Sequence, residues 1–484
     1  MENYTIIQAL KSLNKAELRE FGRFVASPYY NGRKEVTKFF NELKKFYPDF
    51  SHKNFKADKI FYLIYAKKPY RKDTLRKLAS FLLKLYEKFL SVNSVNKDDF
   101  YYSHSMLVEL LIKNIHPLFS KHLNTQSNEL EKLKGEAEFF YWKKYLIERM
   151  HNSHYMLSGN DHLAGSSILK RADYFAYHSV LVMSKILISL VINEKNFNSD
   201  YSRTDYYELF RRCNFEDFVN YLEESRSPHY HVIAVYFYEA MALMNTESDV
   251  YFNKLKNLLL KNTGNFSYSD RINLYTVFEA ICTLKTERGD FSVQKELFET
   301  YKYMLQKKLF SFTEGGEFIV KLFRNFILIG IQLREFKWLE NFIAQYSKTL
   351  PADSRDNMIH LSEAMLLFEK KEFEKSLSIL SKINYEIFHF KIDIKNLQLK
   401  IYYELNLFNE AYSLIDSYKR FITGNKFVSE RYKTMAGNFV DYAFKLLKAK
   451  ESINPEIIYS IKKELEDKRN ILNSDWLVEK AGEI

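Results

Sequence analysis

Residues 366–383 read LLFEKKEFEKSLSILSKI and residues 402–421 read YYELNLFNEAYSLIDSYKRF. Both follow one plan: an apolar helical stretch, a short polar turn, an aromatic residue and a second apolar helical stretch. In the first the turn is Lys370-Lys371-Glu372-Phe373, and Ser376 follows the aromatic by three positions. In the second it is Leu405-Asn406-Leu407-Phe408, with Ala411 in the same place. Helices that reverse over so few residues lie side by side, and a small side chain is needed where their backbones nearly touch. Leu333-Arg334-Glu335-Phe336 and Glu287-Arg288-Gly289-Asp290-Phe291 repeat the plan upstream, and Tyr251, after a turn at Thr246–Asp249, is a fifth instance. The anchors at 251, 291, 336, 373 and 408 are 40, 45, 37 and 35 residues apart.

A period drifting down toward about 34 residues is that of a helix-pair repeat. On the turn, the aromatic and the small residue after it, the last two units resemble tetratricopeptide repeats. The small residue usual in the first helix and a closing proline are missing from both. The resemblance implies an α-solenoid over residues 232–449, with a peptide or partner helix held along the face lined by the first helices. The run SLNKAELREFGRFVASPYYNGRKEV (12–36) and the closing DWLVEK (475–480) resemble uncharacterised bacterial helical proteins, a likeness that implies no activity.

Composition agrees with helices throughout. Of 484 residues 46% are apolar, which argues against disorder, while 13 Gly and 7 Pro are too few for a chain of short strands and tight turns. The 36 Tyr and 41 Phe fit the filling of helix interfaces. Cys213 and Cys282 alone make neither a disulfide framework nor a four-ligand zinc site. The N-terminus lacks the pattern of a signal peptide, and the most apolar stretch, Val180–Ile192, is short for a bilayer and contains Lys185. The expectation is a cytoplasmic protein with no membrane contact.

Charge divides the chain unevenly. Residues 1–92 hold 20 Lys and Arg against 9 Asp and Glu, so all of the net +11 sits there and the other 392 residues balance at 52 of each. This first stretch is expected to be a basic helical domain. Asn14 and Glu17 form a capping box, Leu18, Phe21 and Val25 make a stripe, and Ser27-Pro28 stops the helix. A second helix carries Val36, Phe39, Phe40, Leu43 and Phe46, a third lies near Ile60–Tyr65, and Asp73 caps a fourth through Phe89. Residues 91–99 are the expected linker. Residues 100–231 read as a helical array without a clear period, its helices clearest at Met106–Lys113, Glu129–Met150 and Tyr174–Asn193, with loops at 158–167, 196–204 and 225–228. Residues 450–484 are expected to cap the array.

Lys11, Lys15, Arg19 and Arg23 recur every four residues, as expected of one helical face, and Lys34 and Lys38 repeat the spacing. Two loops add Tyr30 and Arg33, and Tyr70, Arg71 and Lys72. Lys and Arg neutralise phosphates and Tyr gives bases a stacking surface, so these residues form the candidate anion or nucleic-acid contact. An acidic protein would use the same surface.

Other candidates are thinner. Glu148 with His151, and Glu386 with His389, have the i, i+3 spacing of helical metal ligands, and His151, His154, Asp161 and His162 are close in sequence. Such pairs are expected by chance among 12 His and many Glu, so no metal site is assigned and no cofactor is expected. His229 and His231 follow Pro228 at a helix start. No phosphate-binding, nucleophile-elbow or zinc-protease motif is present, Gly315-Gly316 reads as an inter-helix turn, and no catalytic residues are assigned. The sequence therefore points to a protein-interaction scaffold with a protein or peptide partner. The alternative is a nucleic-acid-associated regulator that makes contact through residues 1–92. Oligomeric state is left open.

Overall fold

The computed structural model describes residues 4–66, 68–97, 99–132, 137–384, 388–425, 428–452, 461–465 and 470–483. The protein is all-α, with no strand among the described residues. The chain forms two compact units, one of Met1–Glu131 with Met150–Ala164, the other of Lys132–Arg149 with Gly165–Ile484.

The first unit begins with α1 (Thr5–Ser12), α2 (Lys15–Ala26), α3 (Lys34–Lys44), α4 (Ala57–Tyr65) and α5 (Lys72–Lys97), followed by α6 (Asp99–Ile112) and α7 (His116–Lys132). Helix α1 adds to the expected set and buries Ile6, Ile7 and Leu10. It ends at Leu13 because Asn14 starts a new helix. The Asn14 side chain accepts the backbone N–H groups of Ala16 and Glu17, and Glu17 accepts that of Asn14. That capping box replaces the bonds a continuous helix would have made. The break corrects the basic stripe: Lys11 lies on α1, while Lys15, Arg19 and Arg23 share a face of α2.

Phe21 of α2 fixes the core of this bundle, its ring 5.2 Å from Phe40, 5.7 Å from Tyr86 and 5.3 Å from Phe89. The expected linker is also corrected. Helix α5 continues through Ser91 to Lys97, residue 98 is not among those described, and α6 follows at Asp99. Polar but free of Gly and Pro, this stretch has nothing to stop a helix already under way.

Helices α8 (Ala137–Leu157) and α9 (Asp161–Phe197) contribute residues to both units. The expected loop at 158–167 shortens to Ser158-Gly159-Asn160, with Gly159 at φ 69°, so Asp161 and His162 open α9. Residues 129–150, expected as one helix, fall on α7 and α8, and 133–136 are not among those described.

The second unit continues through α10 (Asp205–Arg212), α11 (Phe215–Glu224), α12 (Tyr230–Met244), α13 (Asp249–Asn262), α14 (Tyr268–Glu287) and α15 (Val293–Gln306). Then come α16 (Val320–Gln332), α17 (Phe336–Tyr346), α18 (Ala352–Glu369), α19 (Phe373–Leu380), α20 (Phe388–Glu404), α21 (Phe408–Gly424), α22 (Glu430–Ser452) and α23 (Ser474–Glu483). All five turns read from the sequence separate helices here. Each second helix packs on the first of its pair, and the first helices α16, α18, α20 and α22 also pack on one another in order. One continuous apolar core runs from Tyr141 to Ala481.

One backbone device closes four of these pairs. Gly289, Arg334, Lys371 and Asn406 adopt φ of 96°, 57°, 61° and 56°. The next residue's N–H then reaches back five positions: Asp290 to Lys285 (3.0 Å), Glu335 to Gly330 (2.8 Å), Glu372 to Leu367 (2.9 Å) and Leu407 to Tyr402 (2.9 Å). This is the Schellman closure, which satisfies the last carbonyls and turns the chain within a few residues.

Where α18 and α19 cross, Ser376 is fully buried and its hydroxyl donates to the Ala364 carbonyl at 2.7 Å. Ala364 is likewise fully buried. The first helix of this pair thus has a small residue at the crossing after all. Ala411, fully buried, holds the same place in α21. At the chain's end Trp476 packs edge-on against Tyr403 at 5.2 Å.

A left-handed conformation costs a non-glycine residue about 1–2 kcal/mol, partly offset by the greater entropy glycine loses on folding. Lys371→Gly is therefore expected to stabilise the chain by about 0.5–1 kcal/mol, and Lys371→Val to destabilise it by about 1 kcal/mol or more. Urea unfolding midpoints read both; equal midpoints would contradict the assigned turn.

Candidate functional site

The candidate contact lies wholly in the first unit. The stripes of α2 (Lys15, Arg19, Arg23) and α3 (Lys34, Lys38) sit opposite the buried residues of their helices, so their charged ends meet water. Lys11, Arg71 and Lys72 are exposed as well. Ion pairs seen among the described residues of this unit are Lys45–Glu42, Arg76–Asp73 and Lys113–Glu109, and none of them takes a candidate cation.

The candidate residues form more than one group. Arg33 lays its guanidinium 3.6 Å from the centre of the Phe81 ring on α5, a cation–π contact beside Lys34. Arg71 and Lys72 stand at the start of α5, about 15 Å along the helix from Phe81. Since α2, α3 and α5 pack on one another, their outward faces look in different directions. The tyrosines differ too. Tyr30 is half-buried and stacked on Phe24 at 3.9 Å, and Tyr70 meets Phe61 edge-on at 5.4 Å. Tyr29 is the ring that protrudes, 88% exposed.

The histidines serve packing. His151 stacks on Tyr155 (5.7 Å), while Glu148 accepts the Ser167 hydroxyl at 2.7 Å. His154 meets the Ser120 hydroxyl at 3.2 Å, and burial together with His116 holds its imidazole below the usual range. Glu386 and the His389 side chain are not among the parts described. His229 makes no cap to α12; its ring sits 4.8 Å from Tyr177 and its Nδ1 lies 3.2 Å from the Tyr141 hydroxyl. Among the described residues no group of three or more His, Cys, Asp or Glu is placed to hold a metal ion. Cys282 is buried, which pushes its thiol up, away from nucleophilic duty.

A polar seam that has no local sequence signature lies inside the second unit. Arg324 of α16 grips Asp393 of α20 with two donors, Nη2 to Oδ1 at 2.7 Å and Nε to Oδ2. Its Nη1 donates to Asn325 at 2.9 Å, and Asn325 donates to Glu279 of α14. Arg431 of α22 pairs with Glu287 at the end of α14. The backbone N–H of Ser429 donates to the Asn196 carbonyl at 3.0 Å. The first helices are thus tied to one another by their own side chains. A second buried group lies nearby in sequence: Asp270 accepts the Tyr236 hydroxyl at 2.7 Å, and Lys185 approaches it to 3.8 Å.

Against protein-family models, curated proteins and solved structures, the chain finds no match.

Burial, opposed by Asn325 and nearby cations, pushes the Glu279 carboxyl up to about 7. Its ordinary value, which the unfolded chain keeps, is 4.5. Below that value both states hold the proton and the group has no effect. Between there and about 7 only the folded state holds it, so stability falls as pH rises, by about 3 kcal/mol in all. Glu279→Gln is expected to remove this loss: its stability advantage over the natural chain grows from pH 5 to pH 8 in denaturant titrations. A constant difference would show that Glu279 folds ionised.

Proposed function

We propose that the chain is a protein-interaction scaffold whose second unit is a tetratricopeptide-like α-solenoid. The observation that carries this reading is the recurrence of one closure at Gly289, Arg334, Lys371 and Asn406, with the first helices α16 to α22 packed in order. An array of this kind gains stability from nearest neighbours and leaves long faces free to meet other chains. Glu279, Asn325, Arg324 and Asp393 are bonded in a chain that occupies these first-helix side chains, which favours a partner segment on the second-helix side. A recess there is lined by Glu374, Leu377, Ser378, Ser381, Leu405 and Leu407, with an apolar floor suited to a peptide's leucine or aromatic side chain. Cytoplasmic residence belongs to the same proposal.

Cross-linking of the full chain in its native cells is expected to join a partner to α19. Glu374→Arg combined with Ser378→Arg, both at exposed positions, is expected to cut that yield at least tenfold with the unfolding midpoint unchanged. A partner whose yield ignores both changes, or none at all, would reject the recess.

The alternative, contact with nucleic acid through residues 1–92, is favoured by the candidate cations there, none of which has a carboxylate partner among the described residues, and by the protruding ring of Tyr29. Spread over several faces, they suit a contact with phosphates independent of base sequence. The full chain is then expected to bind an oligonucleotide with affinity falling steeply as salt rises, and Arg19→Glu with Arg23→Glu to reduce that slope by about two counter-ions. Absence of binding at low salt removes this reading.

A further inference from the structure

Helix α9 has two faces, and the core uses one. Val180, Leu181, Ser184, Leu187, Ile188 and Val191 are buried, and Lys185 on the same side pairs with Glu138 at 3.3 Å. The opposite face is apolar as well. Ile168, Phe175 and Ile186 are 44%, 52% and 42% exposed, and Leu169 beside them is 71% exposed. With Ala172, Ser179, Val182 and Ser189, this face repeats at alternating steps of four and three residues from 168 to 189. A 3.5-residue repeat is the seam of a two-helix supercoil, and this one carries no charged residue. By length and composition α9 also passes as a helix able to cross a bilayer, with 33% of its most apolar window buried.

Helix α8 widens the surface within the second unit. The Tyr145 ring lies 5.8 Å from Phe175 and stacks on Trp142 at 5.1 Å, and Phe139, one turn before Trp142, is 46% exposed. Together Phe139, Ile168, Leu169, Phe175 and Ile186 leave roughly 500 Å² of apolar side chain in water, at the upper end of what monomers carry as their largest patch. With the half-buried Trp142, Tyr145 and Val182 the patch approaches the about 800 Å² per partner of a standard interface.

We infer that this face of α9, flanked by α8, is the interface with a second copy of this chain, the two α9 helices running antiparallel about a two-fold axis at Ser179. The apolar area approaches that of one side of a standard interface, and the residues match themselves. Under this axis Ala172 of one copy meets Ile186 of the other, and Phe175 and Ile168 fall within one residue of Val182 and Ser189, each larger side chain beside a smaller one. The same patch serves both copies, as a two-fold interface requires. This goes beyond the scaffold reading and stands on different residues from the α19 recess.

The test is the mass of the purified full chain by light scattering and sedimentation at about ten times the expected micromolar dissociation constant. The expected result is twice the chain's 57.9 kDa. Phe175→Lys and Ile186→Glu, each at an exposed position, are expected to weaken dimerisation at least tenfold with circular dichroism and unfolding midpoint unchanged. Ser179→Cys gives a readout that needs no disruption: on oxidation it is expected to form an intermolecular disulfide at residue 179, identified by peptide mass. A monomer at every concentration, a dimer indifferent to both substitutions, or binding to phosphatidylcholine vesicles without self-association would each overturn the inference.

Discussion

The fold of the second unit depends on reversing the chain within a few residues so that each apolar helix is covered by the next. Gly289, Arg334, Lys371 and Asn406 make that reversal by accepting a left-handed backbone, Arg334 and Lys371 against the preference of their side chains. The Schellman bond that follows returns a buried carbonyl to a partner and sets where the second helix starts. Crossing distance then falls to the small residues. Ser376 against Ala364 lets α18 and α19 touch through a hydroxyl–carbonyl bond, which a larger side chain would prevent.

From this packing comes the polar seam. First helices stacked in order bring Glu279, Arg324 and Asp393 together from three segments of the chain. Buried ions are costly unless paired, and a seam with its principal groups bonded holds register more than it adds net stability. Its functional consequence is geometric: side chains that hold the array together cannot at the same place hold a partner. The proposed recognition surfaces accordingly lie elsewhere, in the recess beside α19 and on the outward faces of α8 and α9.

The sequence made the fold legible where the signal was local. The five turns lie where the aromatic anchors place them, because a turn and its flanking apolar runs sit within about twenty residues of each other. The capping box at Asn14 was equally plain, but its consequence was hidden: a spacing of four between Lys11 and Lys15 looks helical until the cap divides α1 from α2. Residues 91–99 read as a linker by their polarity, yet 91–97 continue α5, because no Gly or Pro stops it. The seam left no trace, its members being 46 and 69 residues apart. The free stripe of α9 was invisible for another reason. In a helix apolar all round, no periodicity separates the face that packs from the face that does not until the core fixes its phase.

The first helices of the second unit must converge as their ion pairs require. Glu287 and Arg431, separated by 144 residues, are the longest-range of the side-chain pairs that tie these helices. In the double variant Glu287→Cys with Arg431→Cys, a short bis-maleimide is predicted to bridge the two thiols within one chain, with residues 287 and 431 identified by peptide mass. A folded double variant that takes up the reagent at both sites without bridging would contradict the stacking of α14 through α22.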